Sequence, residues 1–204
     1  MRILLYGSTY ITERCARFIR AMTTHEVVGH VPCRRRPTIP GQMRCPVVAD
    51  EADVDYDIRL SIQFDAKIDY RGTPAYNLHT GLLPEWGGSD ILYHTLRLGA
   101  GRQGLSFHEI TDRLDCGYII SKITYPVWSG DTMVDLYERV ARLAPPFLAC
   151  GLFLVEHLNM PQMGEAPEPP TMFRRGDINL RDRDRYAETP RLICERLGIP
   201  YEGK

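Results

Sequence analysis

The first thirty-one residues restrict the fold more than any other stretch of the chain. A short apolar run, Ile3–Tyr6, stops at Gly7-Ser8-Thr9. The spacing then becomes helical, with Ile11, Cys15, Phe18, Ile19 and Met22 on one face. Glu26–Val31 ("EVVGHV") is again strand-like. A strand, a helix and a second strand so close together predict the start of an open α/β sheet. With 204 residues, 44% of them apolar, the chain can bury a real core, which excludes global disorder.

The following residues extend this pattern. Arg34, Arg35 and Arg36 stand in a loop that also holds several prolines, and Cys45–Val48 is a candidate third strand. Ile58–Phe64 and Ala75–His79 read as strands separated by only ten residues, too few for a full helical crossover. Ser89–Leu98 has helical spacing. Gly104–Ile110 and Tyr118–Val127 read as an antiparallel pair around the loop "TDRLDCG". A helix from Asp131-Thr132 is expected to end near Leu143, because Pro145-Pro146 interrupt it, and a second helix is expected over Phe147–Leu158. "MPQMGEAPEPP" has the composition of a linker, and the polar tail carries one helix, Pro190–Leu197. The expected fold class is α/β: a Rossmann-like open, mostly parallel sheet with helices on both faces and an antiparallel strand pair in the C-terminal part of the core. Residues 1–158 form that core and 159–204 a linker and short tail.

Charge and cysteine usage narrow the function. The net charge of −1 gives no overall attraction to nucleic acid or to a membrane surface. The six cysteines, at 15, 33, 45, 116, 150 and 194, form no CxxC pair or Cys/His cluster, so no metal is expected. "MRILLYG" enters a strand directly, without the segments of a signal peptide, and no apolar stretch is read as long enough to span a bilayer. A reduced, cytoplasmic protein is expected.

One stretch carries chemistry. In "YNLHTGLLPEWGG", Asn77 and His79 are two apart at the end of a strand, so their side chains share a face. Ligands of open α/β sheets bind beyond the carboxyl ends of strands. An isolated N-x-H is most simply a polar strand end, but Leu82-Leu83-Pro84 and Gly88 follow at fixed distances. Farther on, Asp115-Cys116-Gly117 forms a D-x-G turn within "GLSFHEITDRLDCGYIISK".

These elements resemble the 10-formyltetrahydrofolate-dependent formyltransferase family, with its pattern N-x-H-x-x-L-L-P-x-x-x-G followed by an Asp in a D-x-G turn. The resemblance extends over roughly residues 57–145, and "FRRGDINL" at 173–180 is weakly like a segment after the core of some members. It implies formyl transfer from 10-formyltetrahydrofolate, as co-substrate, to a primary amine. Asn77 would donate to the developing oxyanion. His79 would take the amine proton or, when protonated, stabilise the oxyanion; both roles are open. Asp115 would orient the imidazole and favour its charged form. No covalent intermediate is required, so Cys116 reads as a small side chain in a tight turn.

By the same resemblance, the folate lies along Gln63–Ile68 and the loop 111–115. The candidate contacts are Phe64, Ala66, Lys67, Ile68, Leu82, Pro84, Asp112 and Leu114. Phe64 serves equally well as core. Asp112 and Arg113 also read as a solvated turn, and His108 as structural. Pro84 would stiffen the loop, and Gly87-Gly88 would let it turn closely against the sheet.

Several acceptor amines occur in the family. Its transfer-RNA enzymes carry a further C-terminal domain, which this sequence does not show. Glycinamide ribonucleotide enzymes have a glycine-rich phosphate loop after the first strand, which is only partly present here as Gly7, Ser8 and Thr9, the candidate substrate-binding residues. An amino sugar carried on a nucleotide is the acceptor expected, with Arg34, Arg35 and Arg36 as candidate holders of a diphosphate. Glycinamide ribonucleotide transfer, hydrolysis of formyltetrahydrofolate, and a non-catalytic folate- or nucleotide-binding module are the alternatives. A homodimer is left open, and neither nucleic acid nor membrane is an expected partner.

Overall fold

In the computed structural model the chain begins with strand β1 (Arg2–Tyr6), helix α1 (Tyr10–Met22) and strand β2 (Glu26–Val31). The structure describes residues 1–35, 37, 39–157, 169–174 and 183–201, with side chains omitted over 183–187. Strands β3 (Ile58–Ile62), β4 (Ala75–His79), β6 (Arg102–Glu109) and β7 (Ile119–Pro126) join β1 and β2 in one sheet of order β2-β1-β3-β4-β6-β7. The first four strands are parallel, and β4–β6 and β6–β7 are antiparallel. The expected mixed α/β sheet is therefore present. Helix α2 (Ile91–Arg97) precedes β6, and helices α3 (Met133–His157) and α4 (Arg183–Leu197) follow β7.

Ile3, Leu4 and Leu5 are all fully buried, as expected for a strand covered on both faces. One face packs on α1 and α3, through Ile11, Cys15, Ile19, Val140, Leu148 and Leu152. The other bears the 3₁₀ turn Glu51–Asp53 and the loops around it, through Tyr6, Val48, Phe64 and Ile68. The helical cover of that second face is thus this short turn, anchored by Glu51 to Tyr6, Tyr56 and Arg59. Met22, expected on the buried face of α1, lies exposed at its last turn.

Three expectations are corrected. Cys45–Val48 is not a strand; only a bridge from Val47 to His30 forms. Pro46 has no N–H, so it pairs only through its carbonyl, which accepts from His30. Secondly, α3 does not stop at Pro145-Pro146 but runs through both. Proline at 145 leaves the Ala141 carbonyl without its helical donor, and the Arg14 guanidinium of α1 supplies one, Nε to O at 2.9 Å. Val140, Ala144, Leu148 and Leu152 form one buried stripe across the interruption. Thirdly, the resulting 25-residue helix is long and apolar enough to cross a bilayer, contrary to the reading of two shorter helices. Its buried stripe is part of the protein's own core.

The tail folds back onto this core. Ile193 and Cys194 of α4 are buried, and Arg196 pairs with Asp135 and Glu138 of α3. A two-residue strand β8 (Met172–Phe173) pairs in parallel with β5 (Gly87–Gly88), a short strand directly after the Leu-Leu-Pro turn. "MPQMGEAPEPP" up to residue 168, residues 175–180 of "FRRGDINL", and Arg36 lie outside the described residues.

Candidate active site

The β3–β4 connection determines where the site can form. It contains no helix, so residues 63–71 stay beside the carboxyl ends of β3 and β4. Together with the 110–115 loop after β6 they enclose a cleft of about 760 Å³. Ser61, Asn77, His79, His108 and Asp115 line it.

Alternation along β4 sends Leu78 into the core and leaves Asn77 and His79 on the cleft side. The antiparallel register sets Asn77 opposite His108 and His79 opposite Ser106, while Phe107 joins the core. Asp115 arrives from the loop after β6 with φ of 54°, a left-handed conformation that Asp tolerates better than most residues. Two residues later the chain passes over β6 so closely that a Cβ at Gly117 would come within 1.9 Å of the Glu109 carbonyl. The D-x-G pattern thus has a local cause: one residue must turn left-handed and the other must have no side chain.

Hydrogen bonds assign both imidazoles. Nδ1 of His108 donates to the Glu109 carbonyl at 2.7 Å, so Nε2 is left to accept, and Asn77 Nδ2 donates to it at 3.1 Å. His79 Nε2 donates to the Trp86 carbonyl at 2.6 Å, which turns Nδ1 towards Asp115, 3.8 Å from Oδ1. The same Oδ1 is 3.7 Å from His108 Nε2, and Oδ2 accepts the Gly88 N–H at 2.8 Å. One carboxylate therefore faces two imidazoles at distances where its charge acts without a direct hydrogen bond. His79, His108 and Asp115 are all buried. The burial of His108 is the largest cause that pushes its pKa down to about 4; proximity to His79 adds to this, while Asp115 and the Glu109 carbonyl oppose it. His108 is accordingly neutral at pH 7 and able to accept from Asn77.

The expected site residues divide into two groups. Asn77, His79 and Asp115 converge as read from the sequence. Phe64, Ala66, Lys67, Ile68, Asp112 and Leu114 line the same cleft, and Phe64 also packs edge-on against Tyr6 at 5.2 Å. Leu82 and Pro84 do not line it. Leu82 is buried in the turn, where its N–H donates to Gln103. Gly7, Ser8 and Thr9 also lie outside the lining. Thr9 caps α1 by accepting from Thr12 N–H, Ser8 Oγ accepts from Cys33 N–H, and Gly41 donates to the Ser8 carbonyl. Arg34 and Arg35 give their backbone N–H groups to Asp65 at 2.7 Å each. Gly87-Gly88 admits the β8 segment rather than the sheet, a correction discussed below.

His108 is the site residue that sequence reasoning missed. Its alternation with Phe107 was visible, but only the β4–β6 register places it against Asn77.

Residues 66–149 match the sequence profile of the family described as formyl transferase. A methionyl-tRNA formyltransferase of Pseudomonas fluorescens (strain SBW25) is 25% identical over 122 residues, 57% of this chain and 38% of its own. The chain thus spans well under half of that relative's length. An N-formyltransferase from Helicobacter canadensis, solved with folinic acid and dTDP-3-aminofucose, superposes with a TM-score of 0.71 at 17% identity, covering 87% of this chain and 72% of its own. A phosphoribosylglycinamide formyltransferase from Anaplasma phagocytophilum gives 0.64 at 16% identity, covering 86% and 99%. The profile spans the strand that bears Asn77 and His79 and the turn that bears Asp115, so the residues that meet in the cleft lie in the very stretch that is similar to the formyl transferase family.

Proposed function

We propose that this protein transfers a formyl group from 10-formyltetrahydrofolate to a primary amine, an amino sugar carried on a nucleotide. The observation that carries the reading is the meeting of Asn77, His79 and Asp115 at one end of the cleft. A cleft of about 760 Å³ suits a ligand of folate size, which falls within the usual several hundred to ~1,000 Å³. Phe64, Ala66 and Ile68 offer apolar walls to a flat ring, and the loop at 111–115 offers backbone groups to its polar edge. The Helicobacter canadensis neighbour, solved with folinic acid and a nucleotide-linked amino sugar, supports the choice of donor and acceptor.

In the transfer the amine nitrogen bonds to the formyl carbon, the bond to the folate nitrogen breaks, and one proton passes from the amine to the folate nitrogen. In this reading each residue has a part. His79 has Nε2–H committed to Trp86, so Nδ1 is the basic atom and receives the amine proton. The imidazolium so formed lies between the Trp86 carbonyl and the Asp115 carboxylate, both of which stabilise it. Asn77 uses one Nδ2 hydrogen on His108 and retains the second for the formyl oxygen. His108 thereby sets the amide's orientation.

The test is to incubate the protein with 10-formyltetrahydrofolate and a panel of amines and to follow tetrahydrofolate release. Release only with a nucleotide-linked amino sugar supports the reading. Release with glycinamide ribonucleotide alone, or without any amine, would replace it with another acceptor or with hydrolysis.

A further inference from the structure

The segment 169–174 reaches the site from far along the sequence. It lies against the Pro84–Ser89 loop through three backbone hydrogen bonds: Thr171 N to the Pro84 carbonyl, Gly87 N to the Thr171 carbonyl, and Ser89 N to the Phe173 carbonyl, at 2.9–3.0 Å. The Phe173 ring stacks on Trp86, centroids 4.9 Å apart and planes within 15°. It also contacts the buried His94 ring at 4.9 Å, and His94 Nε2 donates to the Arg174 carbonyl at 3.2 Å. The two glycines are shaped for this neighbour. A Cβ on Gly88 would come within 2.1 Å of the Phe173 carbonyl, and one on Gly87 within 2.8 Å of Pro170.

The loop so held supplies both orienting contacts of the reacting pair. Trp86 gives the carbonyl that takes Nε2–H of His79, and Gly88 gives the N–H that holds Oδ2 of Asp115. Only Gly87 lies between these two residues, and the strap is bonded on both sides of them. We infer that Phe173 and the strap at 169–174 are positioning elements of the active site, which fix the tautomer of His79 and the seat of Asp115 through the 84–89 loop. The strap touches neither reacting group; it acts through Trp86 and Gly88. That positioning matters for rate rests on the proposed transfer; that it orders His79 does not.

Two variants of the full chain test this: Phe173→Ala, which removes the stack, and Thr171→Pro, which removes the N–H donated to Pro84. The direct readout is the Nε2–H of His79 in ¹H–¹⁵N imidazole spectra, with far-UV circular dichroism to show that the fold is retained. In the wild type this hydrogen is expected to exchange slowly, because the Trp86 carbonyl holds it. In both variants it exchanges with solvent and its resonance is lost, while Phe173→Tyr retains it. In the transfer assay, kcat falls by about ten- to a hundredfold in Phe173→Ala, with KM for the formyl donor unchanged, since small misplacements of a reacting group cost on that order. Loss of the resonance upholds the positioning role even if the wild type transfers no formyl group, in which case only the functional reading fails. An unchanged resonance in a folded Phe173→Ala protein overturns it, whatever happens to kcat.

Discussion

The carboxyl ends of β1 and β4 differ in one physical respect. At the end of β1, Gly7–Thr9 meets the following loop, and the polar groups there are matched with one another. Thr9 serves Thr12 and Gln63, Ser8 serves Cys33 and Gly41, and the Tyr10 N–H goes to the Ile39 carbonyl. At the end of β4, one carboxylate stands near two imidazoles, at 3.7 and 3.8 Å, without a direct bond to either. At the first, the polar groups are bonded to one another. The second holds charged and proton-carrying groups close together with no direct bond between the carboxylate and either imidazole, an arrangement suited to proton transfer.

Variants on the two sides should separate these roles. The largest effect is expected from Asp115→Asn. Asparagine also tolerates the left-handed backbone and still accepts from Gly88, so the fold is kept while the charge is lost. The transfer rate, measured at saturating donor, should fall by about 10²-fold, the usual scale for an acid–base element. Arg14→Met comes next and acts only on stability. It leaves the Ala141 carbonyl without a donor opposite Pro145, and should cost about 1.5–3 kcal/mol in urea unfolding, the range for a hydrogen bond to a charged group.

His108 yields a pH effect on the chemical side. Its folded pKa, about 4, lies below the ordinary 6.5, so between these values the unfolded chain binds the extra proton. Stability should therefore fall as pH drops from 6.5 towards 4, and His108 should contribute no slope above 6.5. Thermal unfolding of His108→Asn across that range should show a flatter dependence than the wild type. The smallest effect is Thr9→Ala, which removes an N-cap. It should cost about 1 kcal/mol and leave transfer in place, as measured by denaturation and by the same assay.

Much of this was legible in the residues. Buried strands read as apolar runs, and the i, i+2 spacing of Asn77 and His79 fixed their common face without any tertiary knowledge. The short β3–β4 connection could be counted, and it became the cleft wall. What could not be read depended on contacts between distant segments. The passage of α3 through Pro145-Pro146 relies on Arg14, 127 residues away. The pairing of Gly87-Gly88 with Met172–Phe173 lacks any local signal, because a two-residue strand has no period. His108 needed the β4–β6 register, and the matching of the polar groups at Gly7–Thr9 needed the course of the loop after β2.

The most direct measurement is single-turnover formyl transfer by the wild type and by His79→Ala, with the acceptor that the amine panel identifies. Truncating His79 removes the atom proposed to receive the amine proton but leaves the sheet beneath it intact. The rate should fall by at least about 10²-fold while the protein stays folded. A folded His79→Ala protein that transfers formyl at the wild-type rate would contradict the assignment of this cleft as the catalytic centre.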